Sequence, residues 1–149
     1  MSLIRLMYCS KPAPSFQPGH IKEILHLARE RNQAACVTGA LVFHRKWFLQ
    51  VIEGSRGAVT ELFLRIARDP RHEQVHLMEC VDVHERHFGE WNMAYCADTD
   101  AMRGTVLRFA GTSEFAPTEM SATSALRLMA AITGAASNTD AEPSQKAAG

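Results

Sequence analysis

Tyr8 and Gln50 are the two side chains of this sequence that offer the clearest chemistry, because each interrupts an otherwise apolar segment of β type. A phenol can be oxidised and carries a transferable proton, and a primary amide both donates and accepts hydrogen bonds. A buried polar group inside an apolar strand needs a partner. The two side chains could simply bond each other, or they could form the polar end of a binding site.

A second group of polar residues is expected near this pair. Its members also have purely structural interpretations: Asn32 as the C-cap of a helix, Arg65 as a solvated charge and Asp69 as a turn former. Together with surrounding apolar residues they predict a slot between two helices and a sheet, suited to a planar heteroaromatic ligand. The polar candidates are Asn32, Arg65, Asp69, Arg71 and His72, and the apolar ones are Ile24, Leu25, Phe48 and Ile66.

The elements that position these residues follow from hydrophobic periodicity. Alternating or short apolar runs predict strands over residues 3–9, 36–43, 47–52, 75–83 and 91–96. Helical spacing predicts one helix from Pro18, and a second that Ser55 caps and that ends before Pro70. The order βαββαββ favours an α+β fold of ferredoxin-like type, with both helices on one face of the sheet.

The chain changes in character after the fifth strand. Residues 101–109 and 117–132 have helical patterns, whereas residues 134–149 are rich in Ala, Ser, Asn and Asp, which is typical of a frayed tail. We therefore divide the chain into a domain over residues 1–97, a two-helix C-terminal extension over residues 98–133 and a flexible tail over residues 134–149.

Both faces of the predicted sheet are apolar. Strand alternation places Tyr8 and Gln50 on the helix-covered face and leaves Met7, Leu49 and Val51 on the opposite face. A half-solvated sheet would alternate apolar with polar residues. The second face is therefore expected to be covered by the C-terminal helices or by a partner subunit.

Composition argues against several classes of function. Sixteen basic residues balance sixteen acidic ones among 149, so binding to nucleic acid through bulk charge is not expected. The sequence shows no apolar run long enough to span a membrane and no signal-peptide pattern, so a cytoplasmic protein is expected. The four cysteines form no CxxC pair and are expected to be thiols packed as small hydrophobes.

The segment His72-Glu73-Gln74-Val75-His76 matches the HExxH pattern of zinc proteases, which requires a helix. Here the predicted helix has just ended before Pro70, and a β-type run follows at once. An extended segment would separate the two imidazoles by about 13 Å. No metal site is therefore predicted.

Across residues 3–96 the sequence resembles the BLUF family, the sensors of blue light that use FAD. Seven blocks in order carry the resemblance, and it is the set rather than any one block that is specific. They are Leu6-Met7-Tyr8-Cys9-Ser10, Ala28-Arg29-Glu30-Arg31-Asn32, Val37-Thr38-Gly39-Ala40-Leu41, Phe48-Leu49-Gln50-Val51-Ile52-Glu53-Gly54, Arg65-Ile66-Ala67-Arg68-Asp69-Pro70-Arg71-His72, Arg86-His87-Phe88 and Trp91-Asn92-Met93.

The resemblance implies a flavin held between the helices, FAD in the first place, with FMN or riboflavin as alternatives. It implies that Tyr8 donates an electron and a proton, that the Gln50 amide relays the proton, and that Asn32 bonds the carbonyl edge of the ring. It places Arg65, Asp69, Arg71 and His72 along the ring or its ribityl and phosphate path. Ile24 and Phe48 are apolar lining, and Trp91 and Met93 are candidates for passing the signal across the sheet.

The function expected from this resemblance is a blue-light photoreceptor without an effector enzyme on the chain, which signals to a separate partner protein through a rearranged Gln50 amide. Rotation and tautomerisation of that amide are both open. A homodimer or higher homo-oligomer is expected. The alternatives are an acylphosphatase-like hydrolase of the same topology, which lacks a Gly-rich anion loop after strand one, and an RNA-binding module, which lacks aromatic residues on an open sheet face.

Overall fold

The computed structural model describes residues 2–17, 19–44, 46–89, 94–96 and 101–137. These residues form five strands: β1 (Leu3–Pro12), β2 (Thr38–His44), β3 (Trp47–Ser55), β4 (His72–Val83) and β5 (Ala94–Cys96). The helices are α1 (His20–Ala35), α2 (Arg56–Ala67), α3 (Ala101–Phe109) and α4 (Ala122–Ser137), with a short 3-10 helix at Pro117–Glu119. The predicted order βαββαββ followed by helices is confirmed.

The strands form one sheet in the order β4-β1-β3-β2-β5. β1 lies antiparallel to both β3 and β4, and β2 lies antiparallel to β3. β5 joins the edge of the sheet parallel to β2. This is the predicted ferredoxin-like α+β arrangement, in which the two central strands carry Tyr8 and Gln50.

Two apolar layers sandwich the sheet, as strand alternation predicts. The layer beneath α1 and α2 contains Ile4, Leu6, Tyr8, Phe48 and Ile52 together with Leu25 and Val59 from the helices. The opposite layer contains Met7, Leu49 and Val51 together with Val106, Leu128 and Met129 from α3 and α4. The C-terminal helices of the chain itself therefore cover the second face.

The ends of α1 and α2 have identifiable causes. The Ser55 hydroxyl accepts a hydrogen bond from the Ala58 N–H at 3.3 Å, which confirms the predicted N-cap of α2. α1 ends at Cys36, which has a φ of 55° and is the C-cap. The interpretation of Asn32 as the C-cap is wrong, because Asn32 lies a full turn earlier and is buried.

Two predicted boundaries in the C-terminal extension are wrong. The single helix predicted over residues 117–132 is interrupted, because the Ser121 hydroxyl accepts from the Ser124 N–H at 3.1 Å and starts α4 afresh. α4 also continues to Ser137, past the tail predicted from residue 134. Ala135 and Ala136 are strong helix formers and extend it.

The region around the HExxH pattern is extended, as predicted. Residues 72–76 open β4, so the two histidines lie along a strand rather than on one helix face. Trp91 and Met93 lie outside the described residues. Among the helices that the structure describes, none has the length and apolarity needed to cross a bilayer.

Candidate functional site

A slot between α1, α2 and the sheet brings together all eleven residues predicted to line it. Its apolar walls come from both helices and from β2 and β3. Its polar groups come from β1, β3, the last turns of the two helices and the corner between α2 and β4. The predicted members are Tyr8, Ile24, Leu25, Asn32, Phe48, Gln50, Arg65, Ile66, Asp69, Arg71 and His72, and further lining residues are Leu27, Ala28, Arg31, Leu41 and Leu62.

The inner end of the slot is formed by Tyr8 and Gln50, which stand directly opposite each other on β1 and β3. The Tyr8 hydroxyl donates a hydrogen bond to Gln50 Oε1. Tyr8 is 3% exposed and Gln50 6% exposed. Burial, and then the nearby negative charge of Asp69, raise the pKa of Tyr8 far above its ordinary value, so this phenol keeps its proton.

Aromatic rings surround the Tyr8 phenol. The Phe63 ring, from α2, lies 5.7 Å from it between centroids, and the His72 ring lies 6.2 Å away in an edge-on arrangement. Phe48 in turn meets His72 edge-on at 6.1 Å. Such contacts fix the ring orientations by packing and by quadrupole interactions, so the phenol is held in place.

Both ring nitrogens of His72 take part in hydrogen bonds, which orient the ring. Its Nε2 contacts the carbonyl oxygen of Ile66, which can only accept, so Nε2 carries the proton. Nδ1 forms a hydrogen bond with the buried Ser10 hydroxyl at 2.9 Å. The imidazole thereby ties β1 to the end of α2 and closes one side of the slot.

The outer end of the slot carries charge. The Arg71 Nε donates to both carboxylate oxygens of Asp69 at 3.0 Å, and the Arg71 backbone N–H donates to the same carboxylate at 2.9 Å. These hydrogen bonds lower the pKa of Asp69, and the same contact raises the pKa of Arg71. Arg65 and Arg68 lie beside this pair on the surface together with the Glu61 carboxylate, so the rim carries three guanidinium groups and two carboxylates.

Asn32 supplies the polar group on the helix side of the slot. It is 2% exposed, although it lies on the last turn of α1. Its backbone carbonyl accepts from the Val37 N–H at 2.8 Å, which fixes the turn from α1 into β2. The slot is therefore apolar along its length, with amide groups at its inner part and guanidinium groups at its rim.

Several residues that shape the site were missed from the sequence. Ser10 shares the face of Tyr8 by strand alternation, and this signal could have placed it beside the slot. Leu41 could have been found in the same way, from its register opposite Gln50. Leu62 and Phe63 lie one turn before Ile66 on the apolar face of α2, and this helical spacing could have placed them beside the slot.

Curated proteins with similar sequences are light-regulated. The chain is 35% identical to the photoactivated adenylate cyclase subunit beta of Euglena gracilis over 94 residues, which are 62% of this chain and 11% of the relative. It is 34% identical over 73 residues to the blue light- and temperature-regulated antirepressor BluF of Escherichia coli (strain K12), covering 49% of this chain and 18% of that one. The matched part thus spans a minor share of these relatives.

Solved structures with the same fold cover more of the chain. The dark-state structure of BlrB, a BLUF protein, superposes with a TM-score of 0.72 and 28% identity over 87% of this chain and 96% of that one. The photo-activated state of BlsA superposes with a TM-score of 0.80 and 23% identity over 88% of this chain and 94% of that one. Both likenesses extend beyond the sheet into the region of the C-terminal helices.

The sequence model described as "BLUF: Sensors of blue-light using FAD" matches residues 3–94, which include every element that builds the slot. This match agrees with the resemblance found in the sequence and gives no support to the hydrolase alternative. The chain belongs to the BLUF family of flavin-binding blue-light sensors.

Proposed function

We propose that this chain senses blue light with FAD bound in the slot, and that Tyr8 and Gln50 are its photoactive pair. The observation that carries the proposal is the buried hydrogen bond from the Tyr8 hydroxyl to Gln50 Oε1 at the inner end of an apolar slot. An oxidisable phenol in contact with a reversible hydrogen-bonding group is what light-driven proton movement requires.

The residues present fit a flavin. Ile24 and Phe48 supply apolar surface for a planar ring, and Asn32 and Gln50 supply amides for its polar edge. Guanidinium groups bind phosphate as charge-assisted, bidentate donors. The rim offers those of Arg65 and Arg68, whereas the Arg71 guanidinium is already paired with Asp69. This basic rim favours a flavin with a phosphorylated tail, FAD or FMN, over riboflavin.

When bound, the flavin absorbs blue light and accepts an electron from a neighbouring donor. Tyr8 would be the donor, and its proton would leave Oη along the hydrogen bond that it already makes to Gln50 Oε1. The electron and the proton would both return to Tyr8, so that only the Gln50 amide ends in a new arrangement. The raised pKa of Tyr8 keeps the phenol protonated before illumination, so the proton is always available for transfer. The Gln50 amide then presents a different end to its neighbours, by rotation or by tautomerisation, and this changed hydrogen bonding is the signal.

The proposal is tested by an absorption spectrum of the purified full chain before and after blue illumination. We expect a yellow protein whose flavin bands shift reversibly to the red. Flavin released by denaturing the same sample is the control, and it should show no reversible shift. A folded protein that stays colourless in excess FAD and FMN, or a bound flavin without a light-induced shift, would refute the proposal.

The output is proposed to pass to a separate partner rather than to an enzyme on this chain. The family match covers residues 3–94, and the described residues after it form α3 and α4, which pack on the far face of the sheet. Trp91 and Met93 remain the predicted relay, and a homo-oligomer remains the predicted assembly. Light scattering on dark and illuminated protein should show a mass above that of one chain, whereas a monomer in both states would contradict the oligomer.

A further inference from the structure

Strand β3 presents a buried carboxylate to the layer opposite the slot. Glu53 follows Gln50 by three residues on the same strand, and its side chain lies on the other face of the sheet. It stands between Arg5 on β1 and Thr38 on β2 in the strand register. Glu53 is 0% exposed. A carboxylate that deep must be held by donors.

Those donors come from the turn at residues 86–88. The Glu53 carboxylate accepts from the backbone N–H of His87 at 2.9 Å and from that of Phe88 at 2.8 Å. The Glu53 backbone carbonyl also accepts from the Arg86 guanidinium at 3.0 Å. One residue of β3 thus makes three of the hydrogen bonds that hold this turn, and we call this set of contacts the Glu53 clamp.

Arg86 extends the clamp to neighbouring elements. Its guanidinium donates to Thr38 Oγ1 on β2 at 2.8 Å and to the carbonyl of Cys36 at the end of α1, also at 2.8 Å. Arg5 on β1 reaches His87 Nδ1 at 3.3 Å. The turn is consequently fixed to three central strands and not only to β4, from which it leaves.

The clamp directs Phe88 into the layer beneath the C-terminal helices. Phe88 is 3% exposed and shares its buried cluster with Val106 of α3 and Leu128 of α4. β5 follows this turn in the chain, pairs with β2 and packs against α4. A displacement of the turn would therefore be felt by both C-terminal helices.

We propose that Glu53 is the positioning residue that couples Gln50 to α3 and α4. β3 is one continuous strand, so a rearrangement at Gln50 on the slot face shifts Glu53 on the other face. Charge-assisted bonds to two consecutive N–H groups hold the turn closely to the carboxylate, so Phe88 follows that shift. This inference rests on the proposed photosensory function, because it concerns how the change at Gln50 leaves the slot.

The test compares Glu53→Gln with Glu85→Gln in the full chain with its flavin bound. Glutamine keeps the volume of the side chain but directs an NH2 group at one of the two N–H donors. Glu85 is an exposed glutamate beside Arg86, and its variant is the matched control. Two measurements are made: the light-induced absorption shift, and hydrogen exchange by mass spectrometry in the dark and under illumination.

We expect Glu53→Gln to keep the absorption shift and to exchange the amides of His87 and Phe88 about tenfold faster in the dark. We also expect it to lose the light-minus-dark difference in exchange over residues 101–137, which wild type and Glu85→Gln should both show. A full light-minus-dark difference in Glu53→Gln would make the clamp merely structural and overturn the inference, as would a wild type without any such difference.

If Glu53→Gln does not fold, Arg86→Gln is tested in its place. Arg86 is only partly buried, and in this variant the Glu53 carboxylate keeps its two N–H donors. We expect that variant to reduce the light-minus-dark difference over residues 101–137 at least twofold, and an unchanged difference would overturn the inference. Failure of the photosensory function itself looks different, since wild type would then lack the absorption shift.

Discussion

The Tyr8→Phe substitution removes one hydroxyl from the inner end of the slot and leaves the aromatic ring in place. The Phe63 and His72 rings that pack around Tyr8 keep their partner. The substitution removes the hydroxyl that donates to Gln50 Oε1. Tyr8 and Gln50 are each at most 6% exposed, so water does not readily replace that donor. We expect flavin to bind to the variant, but no reversible red shift to follow illumination.

The magnitude of the effect on stability follows from the same contact. A buried acceptor that loses its donor costs about 1–3 kcal/mol. For a domain of this size, each kcal/mol lowers the Tm by about 2–4 °C. The Tyr8→Phe variant without flavin should therefore melt several degrees below wild type, even though it has lost a single oxygen atom.

A double-mutant cycle identifies the partner of the hydroxyl. Tyr8→Phe, Gln50→Leu and the double variant are unfolded with denaturant, and their free energies of unfolding are compared. Each single change strands one buried polar group, whereas the double change removes both members of the pair. We expect the double variant to cost about 1 kcal/mol less than the sum of the single variants. Additivity within about 0.5 kcal/mol, or a normal light-induced shift in Tyr8→Phe, would refute the assignment.

Two further predictions use titratable groups on the two faces of the sheet, Asp69 at the slot and Cys9 in the opposite layer. Hydrogen bonds from Arg71 lower the pKa of Asp69, so its charge contributes stability above about pH 4 that is lost as the pH falls through the lower folded pKa. The Tm difference between wild type and Asp69→Asn should shrink over that range, and a constant difference would contradict the ion pair. Burial raises the pKa of the Cys9 thiol to about 11. The prediction that all four cysteines are packed is wrong for Cys36 and Cys80, which are exposed. A thiol reagent should therefore modify Cys9 in the folded protein much more slowly than these two thiols, and equal rates would contradict its burial.

Strand alternation is the reason that so much of the site could be predicted from the sequence. The period of two fixes which residues share a face, so Tyr8 and Gln50 could be assigned to one layer and Val51 to the other without any knowledge of packing. The register then places Tyr8 directly opposite Gln50. The corner at Asp69 could also be predicted, because its residue types restrict the backbone locally.

What the sequence could not supply depends on contacts between distant segments. The type of Asn32 suited either a helix cap or the predicted slot, and packing of α1 on the sheet decides for the slot. The restart of α4 at Ser121 is set by a single side-chain hydrogen bond. Neither outcome has a periodic signal, so local pattern alone could not decide between the alternatives.

The contacts of Glu53 could not be predicted from the sequence either. A charged residue in a central strand conflicts with the apolar pattern around it, and its sequence gives no hint that backbone N–H groups 34 and 35 residues later satisfy it. The conflict is nevertheless informative, because a carboxylate is kept at a buried position only where its donors are fixed. On β3, polar residues break the apolar pattern on both faces, at Gln50 towards the slot and at Glu53 towards α3 and α4. The thickness of one sheet therefore separates the place where light would be sensed from the place where the response would begin.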